Sequence, residues 1–508
     1  MLLPVERRLE CVRYDLRKGF LPHSRRRRGK NRGNKLGAPS RKLETRIGYT
    51  PVFPASRKIP GRSIRAPHIV KCKTTRFWSL TVEDDRSIMP ARKGGSVPRK
   101  GSSKTYDRIV ESAAGLFHSR GFNLVGIQDI LDASGVSRGA FYFYFPSKEE
   151  LCKAVIDFHE HMVEGRLRAA FAPGARWDAG VEAFVESLLR PYGKRGMIAA
   201  PLANLGLEFA HTSPRLLGKV AATLRKAEGW VATLLVSFGF EPGHAARRAE
   251  TVLAVHEGHL ARFALTRDSS CIAQMKDDLK RVGLPPSGNP GIPAPRPRVR
   301  PGADFPACAK FPIDFVDDQS IIIPSGWQAR RREIVTCASG LFWKRGFFNT
   351  SIRDVLDGSG VPKGSFYYYF RSKRALGSSV LDEYRVWCRR FLDGVAGSAD
   401  WRQAVEWLCL VARGFAGGRG FFGCPLGNMG LEFANTDRFL RRKVAGIFGM
   451  VEQGFARVLS ELRQSPAASR KKAALVLALW QGHLTRMTVY RDAGVVDQLR
   501  RDLLEVAD

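Results

Sequence analysis

The segment HEGH at His256–His259 places two histidines and a glutamate within one helical turn. Zinc proteases of the HExxH type separate their histidines by four positions, whereas the separation here is three. A related segment later in the chain keeps only His483, with Trp480 in the place of the first histidine. No acid/base pair, phosphate-binding loop or nucleophile set occurs in both regions. The sequence therefore predicts no enzyme, no metal site and no cofactor, and we expect His259 and His483 at an interface or on a pocket floor.

The cysteines point to neither disulfides nor a zinc site, because the nine of them show no CxxC pair and no paired spacing. Cys424 begins the segment CPLGNMGLEFA, which reads as the start of a helix. A helix N-terminus lowers the pKa of a thiol, so one interpretation is a sensor of electrophiles or oxidants. The competing interpretation is a small buried residue. Both stay open at this point.

Polar residues follow Cys424 at helical spacing. Asn428 and Glu432 are four positions apart, and Asn204 and Glu208 repeat this spacing earlier in the chain. Side chains four apart share one helix face. One interpretation of these residues is a set of polar groups that line a common site. The alternative is an asparagine at a helix start and a glutamate in a helix-packing hydrogen bond.

The charge of the chain indicates a polyanionic partner, most often nucleic acid, because the formal net charge over 508 residues is +35. Residues 1–103 lack sustained periodicity, and residues 1–88 hold 23 Lys and Arg against 7 Asp and Glu. We interpret this part as a basic, disordered extension, either a nucleic-acid-binding tail or a segment without a fixed role. A third interpretation is that translation starts at Met89 and that residues 1–88 come from a misassigned initiation codon. No apolar run reaches the roughly 18 residues of a membrane span, so no membrane partner is expected.

Two stretches of the chain are copies of each other. Ser119–Lys148 aligns with Lys344–Lys373 at a constant shift of 225, with 17 of 30 positions identical. PLANLGLEFA at Pro201–Ala210 matches PLGNMGLEFA at Pro425–Ala434 at a shift of 224. So long a match indicates a duplicated domain, and the patterning of both copies is almost entirely helical. We predict an all-α fold with helix-turn-helix heads at 104–149 and 327–374, helical bodies at 150–282 and 375–508, and a Pro-rich linker at 283–326.

The start of each repeat has the pattern of a helix-turn-helix. Ser351 and Asp354 form a capping box that begins a short helix, and Gly358–Gly360 ends it. Pro362 and Lys363 begin the next helix, where proline is tolerated in the first turn. A short helix, a turn and a second short helix form the arrangement that places its second helix in the major groove of DNA.

Aromatic residues fill the second helix of both repeats. Phenylalanines at i and i+4 are expected to pack on the preceding helices, and these are Phe141, Phe145, Phe366 and Phe370. The side chains between and around them are expected to contact base edges and phosphates. For Phe143 and Tyr368 a place in the core is an equal alternative. The predicted DNA-binding residues are Ser137, Arg138, Ala140, Tyr142, Phe143 and Lys148 in the first repeat and Ser351, Pro362, Lys363, Ser365, Tyr367, Tyr368 and Lys373 in the second.

Ala133–Leu151 (ASGVSRGAFYFYFPSKEEL) and Gly358–Leu376 (GSGVPKGSFYYYFRSKRAL) resemble the DNA-binding signature of the tetracycline-repressor (TetR/AcrR) family. The resemblance covers roughly 105–282 and 328–507. It implies a three-helix head and an all-helical body that holds a small-molecule pocket and dimerises through its last two long helices. Those helices would be 244–267 with 271–282, and 467–491 with 495–506. The resemblance also implies that ligand binding spreads the heads and releases the operator. It further makes five residues candidates for the pocket that binds the effector: Asn204, Glu208, Asn428, Glu432 and Cys424.

Members of that family carry one copy and dimerise, whereas this chain carries two. We therefore predict that the copies pair within the chain as a pseudo-dimer on a two-fold or near two-fold operator in double-stranded DNA. A homodimer of whole chains is the alternative arrangement. The predicted function is a repressor in the bacterial cytosol, associated with the nucleoid and released by a small-molecule effector. The alternative function is DNA binding without an effector, either constitutive or architectural.

Overall fold

The structure, a computed structural model, describes residues 103–193, 200–283, 326–416, 420, 422–461 and 465–506. The predicted N-terminal extension, up to residue 102, and the predicted linker, from 284 to 325, lie outside the described residues. Within the described ranges the secondary structure is α-helix with one 3₁₀ turn and no strand, which confirms the all-α prediction. None of the helices described is long and apolar enough to cross a membrane.

The helices fall into two successive sets of the same order, which we call unit one and unit two. Unit one consists of α1 Ser103–Arg120, α2 Ile127–Ser134, α3 Arg138–Tyr144, α4 Lys148–Ala170, α5 Trp177–Gly193, α6 Pro201–Phe209, α7 Pro214–Ser237, α8 Pro242–Thr266 and α9 Ser270–Val282. Unit two consists of α10 Gly326–Arg345, α11 Ile352–Ser359, a 3₁₀ turn Lys363–Ser365, α12 Phe366–Tyr369, α13 Lys373–Ala396, α14 Trp401–Gly414, α15 Pro425–Phe433, α16 Arg438–Glu461, α17 Pro466–Tyr490 and α18 Val495–Glu505. The first three α-helices of each unit form its head, and the remaining six form its body.

Local hydrogen bonds set the ends of the two head helices that enclose the turn. In unit two, the Ser351 hydroxyl accepts from the Asp354 amide and the Asp354 carboxylate accepts from the Ser351 amide, which completes the predicted capping box. Unit one has glycine at the cap, so only the second bond forms. The helices that precede the turn, α2 and α11, both end at a glycine in the left-handed conformation, Gly135 at φ 62° and Gly360 at φ 67°. A residue with a Cβ is strained there, so glycine suits the turn.

The second helix of each helix-turn-helix is α3 in unit one and the 3₁₀ turn with α12 in unit two, and we call these two the reading helices. They begin differently. The Ser137 hydroxyl accepts from the Ala140 amide at 3.3 Å and caps α3. Pro362 has no side-chain acceptor, and the Ser365 amide donates instead to the Pro362 carbonyl at 2.9 Å. Helix ends without a cap satisfy their orphan groups by tighter bonds of this kind. The reading element of unit two is therefore 3₁₀ in its first turn.

The phenylalanines of the reading helices lie in the core of the heads, as predicted. Phe141 and Phe145 are buried, and so are Phe366 and Phe370. Burial of each ring contributes about 1.5–3 kcal/mol to folding, which is enough to fix the rotation of such short helices. In unit one the Arg108 guanidinium on α1 also donates to the Ser134 carbonyl at 2.8 Å and ties α1 to the turn.

Each body is closed by its last short helix in the same way. The Trp177 indole N–H on α5 donates to the Leu279 carbonyl on α9 at 3.2 Å. The equivalent Trp401 on α14 donates to the Leu503 carbonyl on α18 at 2.7 Å. The helix pairs α8 with α9 and α17 with α18 correspond to the closing helices that the family resemblance implies.

The two units meet where α8 crosses α17. A Cβ built at Gly258 would lie 1.9 Å from the Ala478 carbonyl oxygen, and a Cβ at Gly482 would lie 2.0 Å from the Ala254 carbonyl oxygen. The two helix backbones therefore touch, and glycine is required at both points. The residue pairs are related by the repeat shift of 224, so the crossing is reciprocal.

Candidate DNA-binding surface and head–body junction

Four of the six side chains between the buried phenylalanines of the reading helices face solvent, and Tyr144 and Tyr369 are half-buried. The exposed fraction is 46% for Tyr142, 75% for Phe143, 69% for Tyr367 and 71% for Tyr368. Such large exposed aromatic side chains are unusual on a soluble surface and indicate a contact surface. The alternative place in the core for Phe143 and Tyr368 is wrong.

The other predicted contact residues lie on the same faces of the heads. Ser137, Arg138, Ser351 and Pro362 are exposed, while Ala140 and Ser365 are half-buried. The side chain of Lys363 lies outside the part of the chain that the structure describes. The contacts of these residues with DNA stay predictions.

A polar network on unit one distinguishes its reading surface from that of unit two. The Arg138 guanidinium donates to the Gln128 side-chain carbonyl at 3.0 Å, and the Gln128 amide donates to Asp132 at 2.8 Å. At the position of Gln128, unit two has Arg353, which pairs with Asp357 at 3.6 Å. The two heads therefore present different hydrogen-bonding groups.

Lys148 and Lys373 begin the long helices that follow the reading helices, and neither ammonium group projects freely. Lys148 donates to the Phe122 and Val125 carbonyls at 2.9 and 3.0 Å. Lys373 donates to the Phe348 carbonyl at 3.4 Å and lies 4.5 Å from the Phe347 ring centroid. Burial lowers the pKa of both lysines. Both lysines therefore connect parts of the head. A contact with phosphate would require each ammonium group to bind the phosphate in addition to these carbonyl groups.

Glu208 on α6 and Glu432 on α15 join body to head. The Glu208 carboxylate accepts from the Phe122 amide at 2.8 Å and from the amide of the following residue at 2.6 Å. Glu432 accepts from the Phe347 and Phe348 amides, both at 3.0 Å. The alternative interpretation, a packing hydrogen bond, therefore describes these carboxylates better than a free pocket group does. In each head, the loop after the first helix is held by hydrogen bonds to one carboxylate of the body.

Both junction carboxylates titrate above their ordinary range. Burial raises the pKa of Glu432 to about 7, and the nearby charge of Glu208 adds to the shift, against the two backbone hydrogen bonds that lower it. Burial likewise raises the pKa of Glu208. The charge of Glu208 thus contributes to the raised pKa of Glu432, although the two carboxylates belong to different units.

A cavity of about 90 Å³ lies between the units at this junction. We call it the junction cavity, and four of the predicted effector-pocket residues line it: Asn204, Glu208, Asn428 and Glu432. Its lining also includes His118 and His211, in each of which burial lowers the pKa to about 4. The structure therefore brings the four residues together, but around a space shared by both units rather than in two separate pockets.

Cys424 does not belong to this cavity lining. It caps α15 with its sulfur, which accepts from the Gly427 amide at 3.4 Å and from the Gln481 amide at 3.4 Å. Burial raises the pKa of the thiol above its ordinary value and outweighs these hydrogen bonds. The expectation of a thiol activated by a helix N-terminus is wrong, because the site is closed to water. The interpretation as a small buried residue is the one that the structure supports.

The histidines of the repeated segment lie in a buried chain of contacts that crosses between units. The Arg262 guanidinium donates to His259 Nδ1 at 3.0 Å and to Glu452 of unit two at 2.7 Å. His259 Nε2 lies 2.9 Å from Asp278, and burial lowers the pKa of the imidazole against the effect of this carboxylate. Unit two repeats the arrangement with Asp502, His483, Arg486 and Glu228. Among the described residues no cluster of histidine, cysteine and carboxylate groups is arranged to hold a metal ion.

Sequence reasoning missed the arginines of this chain of contacts and two polar residues of the junction cavity, Asn123 and His211. Arg262 and Arg486 stand three positions after the repeated histidines, in HLAR and HLTR, so their recurrence was a usable signal. Asn123 and His211 gave no such signal, because unit two has Phe348 and Asn435 in their places.

Comparison with known proteins agrees with this geometry. The family model "Bacterial regulatory proteins, tetR family" matches residues 109–155 and again 334–379, which are the two heads. A model for the C-terminal domain of LmrA/YxaF-like transcriptional regulators matches residues 403–502 in the body of unit two.

Relatives of one-unit length match about a third of the chain. An HTH-type transcriptional regulator in the lacX 3′ region of Lactococcus lactis subsp. lactis is 29% identical over 35% of this chain and 92% of its own length. The HTH-type transcriptional repressor DhaR of Mycobacterium sp. strain GP1 is 26% identical over 33% of this chain and 87% of its own. Among solved structures, reduced NemR from E. coli is 21% identical, with 35% of this chain and 96% of that chain covered and a TM-score of 0.32.

Two reading helices with exposed aromatic residues, on heads that match regulatory proteins twice, define a helix-turn-helix transcriptional regulator. The chain belongs to the TetR family, and it carries two units of that family in tandem.

Proposed function

We infer that this protein is a sequence-specific repressor whose two units act as a pseudo-dimer within one chain. The observation that carries the proposal is the reciprocity of the contacts between units. Arg262 pairs with Glu452 at 2.7 Å, and Arg486 pairs with Glu228 at 2.9 Å. The partners in each pair are exchanged by the repeat shift of 224, as they are in an isologous two-fold interface.

Further reciprocal contacts support the same arrangement. The Arg267 guanidinium donates to the Ala434 carbonyl at 2.8 Å, and Arg491 donates to the Ala210 carbonyl at 2.7 Å. Both arginines adopt the left-handed conformation at the end of their helix. With the interface used within the chain, it is not available for pairing between chains, which favours a monomer over a homodimer.

The proposed operator is two half-sites related by an approximate two-fold axis. The exposed tyrosines would contact phosphates, which set position, and the polar groups of the reading surfaces would read bases. Because Arg138 is held by Gln128 in unit one while unit two has Arg353 at the Gln128 position, we expect half-sites that differ in sequence. The proposed place of action is the nucleoid in the bacterial cytosol, and no catalytic step is involved.

Release by a small molecule is the finer part of the proposal. It is supported by polar atoms inside unit one that lack partners, namely His256 Nε2 and Glu257 Oε2. At the same positions unit two has Trp480, which packs against Phe391 at 5.8 Å between ring centroids, and Gln481, which bonds Cys424. The filled interior of unit two favours the alternative, DNA binding without an effector, for that unit alone.

The test uses the purified full-length chain. Sedimentation at low micromolar concentration should give the mass of one chain, and footprinting on DNA beside its own gene should protect two adjacent half-sites. Addition of cell extract should weaken the footprint if an effector acts. A stable two-chain complex with four heads on DNA would overturn the pseudo-dimer, and a footprint that no extract weakens would favour the alternative without an effector.

A further inference from the structure

The junction cavity has polar atoms on one side that nothing in the protein satisfies. Asn123 Nδ2, Asn204 Oδ1 and His211 Nε2 are buried without a hydrogen-bond partner, and all three residues line the cavity. They come from α6 and its C-terminal end and from the loop after α1, all in unit one. Buried polar atoms are nearly always paired, so three that have no partner within the protein mark this space as one that a small polar molecule fits.

Unit two provides the comparison within the same chain. Asn428, the counterpart of Asn204, donates to the Phe422 carbonyl at 2.6 Å. Asn435, the counterpart of His211, donates to the His118 carbonyl at 3.3 Å. Phe348 replaces Asn123 and brings no polar side chain. The fold therefore does not require the orphaned atoms, because the second copy forms the same elements without them.

The charges around the cavity disfavour an anion. Glu208 and Glu432 present two carboxylates whose pKa is raised mainly by burial, while His118 and His211 stay neutral because their pKa lies at about 4. Two arginines line the cavity, and each has a carboxylate partner on its own head. Arg120 lies 3.1 Å from Asp129, and Arg345 lies 3.9 Å from Asp354. A positively charged or neutral molecule is accommodated, and a further negative charge would face two carboxylates.

The size of the cavity limits the occupant to a few non-hydrogen atoms. A volume of about 90 Å³ is enough for a molecule of several non-hydrogen atoms, since one water molecule needs about 10–15 Å³ of such space. Drug-sized ligands need pockets of about 300 Å³ or more. We propose that the junction cavity binds a small cationic or neutral molecule with both a hydrogen-bond donor and an acceptor, such as an amino alcohol.

Such a ligand would touch both units at once. The Asn123 amide is one of the two loop amides that donate to Glu208 in head one, and Glu432 accepts from the corresponding loop of head two. An occupant between them changes the separation of the two head loops directly. This consequence for DNA rests on the proposed function, whereas binding in the cavity does not.

The experiment is calorimetric titration of the full-length chain without DNA, with ethanolamine as the probe and glycolate as an anion of similar size. We expect one ethanolamine per chain with a dissociation constant on the order of millimolar, as few atoms allow, and no binding of glycolate. Asn123→Phe and His211→Asn copy unit two and should each weaken ethanolamine binding at least about tenfold. Ser460→Ala, on the exposed face of α16, is the matched control and should bind as the unaltered chain does.

Absence of heat at about 50 mM ethanolamine (roughly fifty times the expected constant), equal binding of glycolate, or unchanged binding in both variants would overturn the proposal. If Asn123→Phe loses its helical circular dichroism, His211→Asn decides alone. A chain that binds ethanolamine but protects no DNA would overturn the proposed function and keep the site. A chain that protects DNA but binds no ethanolamine would overturn the site and keep the proposed function.

Discussion

At the scale of single residues, the aromatic side chains of the reading helices separate by direction. Phe366 and Phe370 are buried one turn apart, whereas Tyr367 and Tyr368 between them are exposed. Because a helix turns by about 100° per residue, two inward positions four apart leave the first two of the three intervening residues outward, and the third, Tyr369, is half-buried. This division follows from the sequence and needs no tertiary information.

Tyr367→Phe tests the outward tyrosines. Loss of one hydroxyl contact to phosphate should lower operator affinity about three- to tenfold, since a single hydrogen bond contributes on the order of 1 kcal/mol. The slope of log affinity against log salt should not change, because no charge is removed. Arg138→Ala should instead reduce the magnitude of that slope by about 0.9 if the guanidinium neutralises a phosphate. Fluorescence anisotropy across a salt series on the selected operator measures both.

Val236→Ala, an exposed change on α7 far from the reading surface, is the control for these affinities. Equal affinity of the Tyr367→Phe protein and the unaltered chain at every salt concentration would contradict a phosphate contact by this hydroxyl.

Glu432 makes stability depend on pH. Its pKa is raised from 4.5 to about 7 in the folded state, so the folded state binds more protons between these values. The free energy of unfolding should therefore fall as pH rises from about 4.5 to about 7, by up to a few kcal/mol, and level off above. Glu432→Gln should flatten this dependence. Urea titrations at pH 5, 6, 7 and 8 measure it.

Glu333→Gln, an exposed carboxylate on α10, should leave the pH dependence as it is. Parallel curves for Glu432→Gln and the unaltered chain between pH 5 and pH 7 would mean that this carboxylate does not titrate as described.

Some residue-level features were beyond the sequence. Lys148 was expected on phosphate, but its partners are carbonyls 23 and 26 residues earlier, and only the fold brings them near. Cys424 does start a helix, as the sequence predicts, yet the thiol is buried by residues of α17. Periodicity predicts which side of a helix faces inward, and it does not predict what lies opposite.

At the scale of elements, the two reading helices begin with different chemistry. Ser137 caps α3 with its hydroxyl, and Pro362 offers only a backbone carbonyl. The sequence predicted that a helix begins at both places, because serine and proline are both common at helix starts. It did not predict the 3₁₀ turn at 363–365, which depends on the absence of a side-chain acceptor.

Ser137→Ala should lower the free energy of unfolding by about 1 kcal/mol, because the Ala140 amide loses its cap. Ser365→Ala, at the equivalent of the capped position in unit two, removes no cap and should change stability by less than about 0.5 kcal/mol. Chemical denaturation followed by circular dichroism compares the two. Equal effects of both substitutions would show that the Ser137 cap contributes nothing specific.

At the scale of the whole molecule, the repeat predicted two units and an all-helical fold, and the family resemblance implied the closing helices. The sequence did not predict which residues form the reciprocal contacts between units. Arg262 reaches Glu452 across 190 positions, and no periodic pattern links residues so far apart. The shared junction cavity was missed for the same reason, since each unit supplies only half of its lining.

Gly258→Val tests the pairing of units within the chain. Its side chain would overlap the Ala478 carbonyl, so the crossing of α8 and α17 should open and operator affinity should fall at least tenfold, toward that of a single head. Small-angle scattering should show a larger radius of gyration. Gly229→Ala is the control, because nothing lies within 4 Å of a Cβ there, and alanine should stabilise α7 by up to about 1 kcal/mol. Unchanged affinity and size in Gly258→Val would contradict pairing through this crossing.

The crossing also bears on how such a protein changes over generations. In a dimer of identical chains, any substitution at the crossing occurs on both sides of the axis, and its energetic effect is counted twice. Here Gly258 and Gly482 are separate codons of one gene, so a substitution at either occurs once. Each half can accept a change while the other half keeps the interface together. The two units of the tandem chain can therefore diverge in sequence. Asn123 in unit one and Phe348 at the equivalent position of unit two are an example of such divergence.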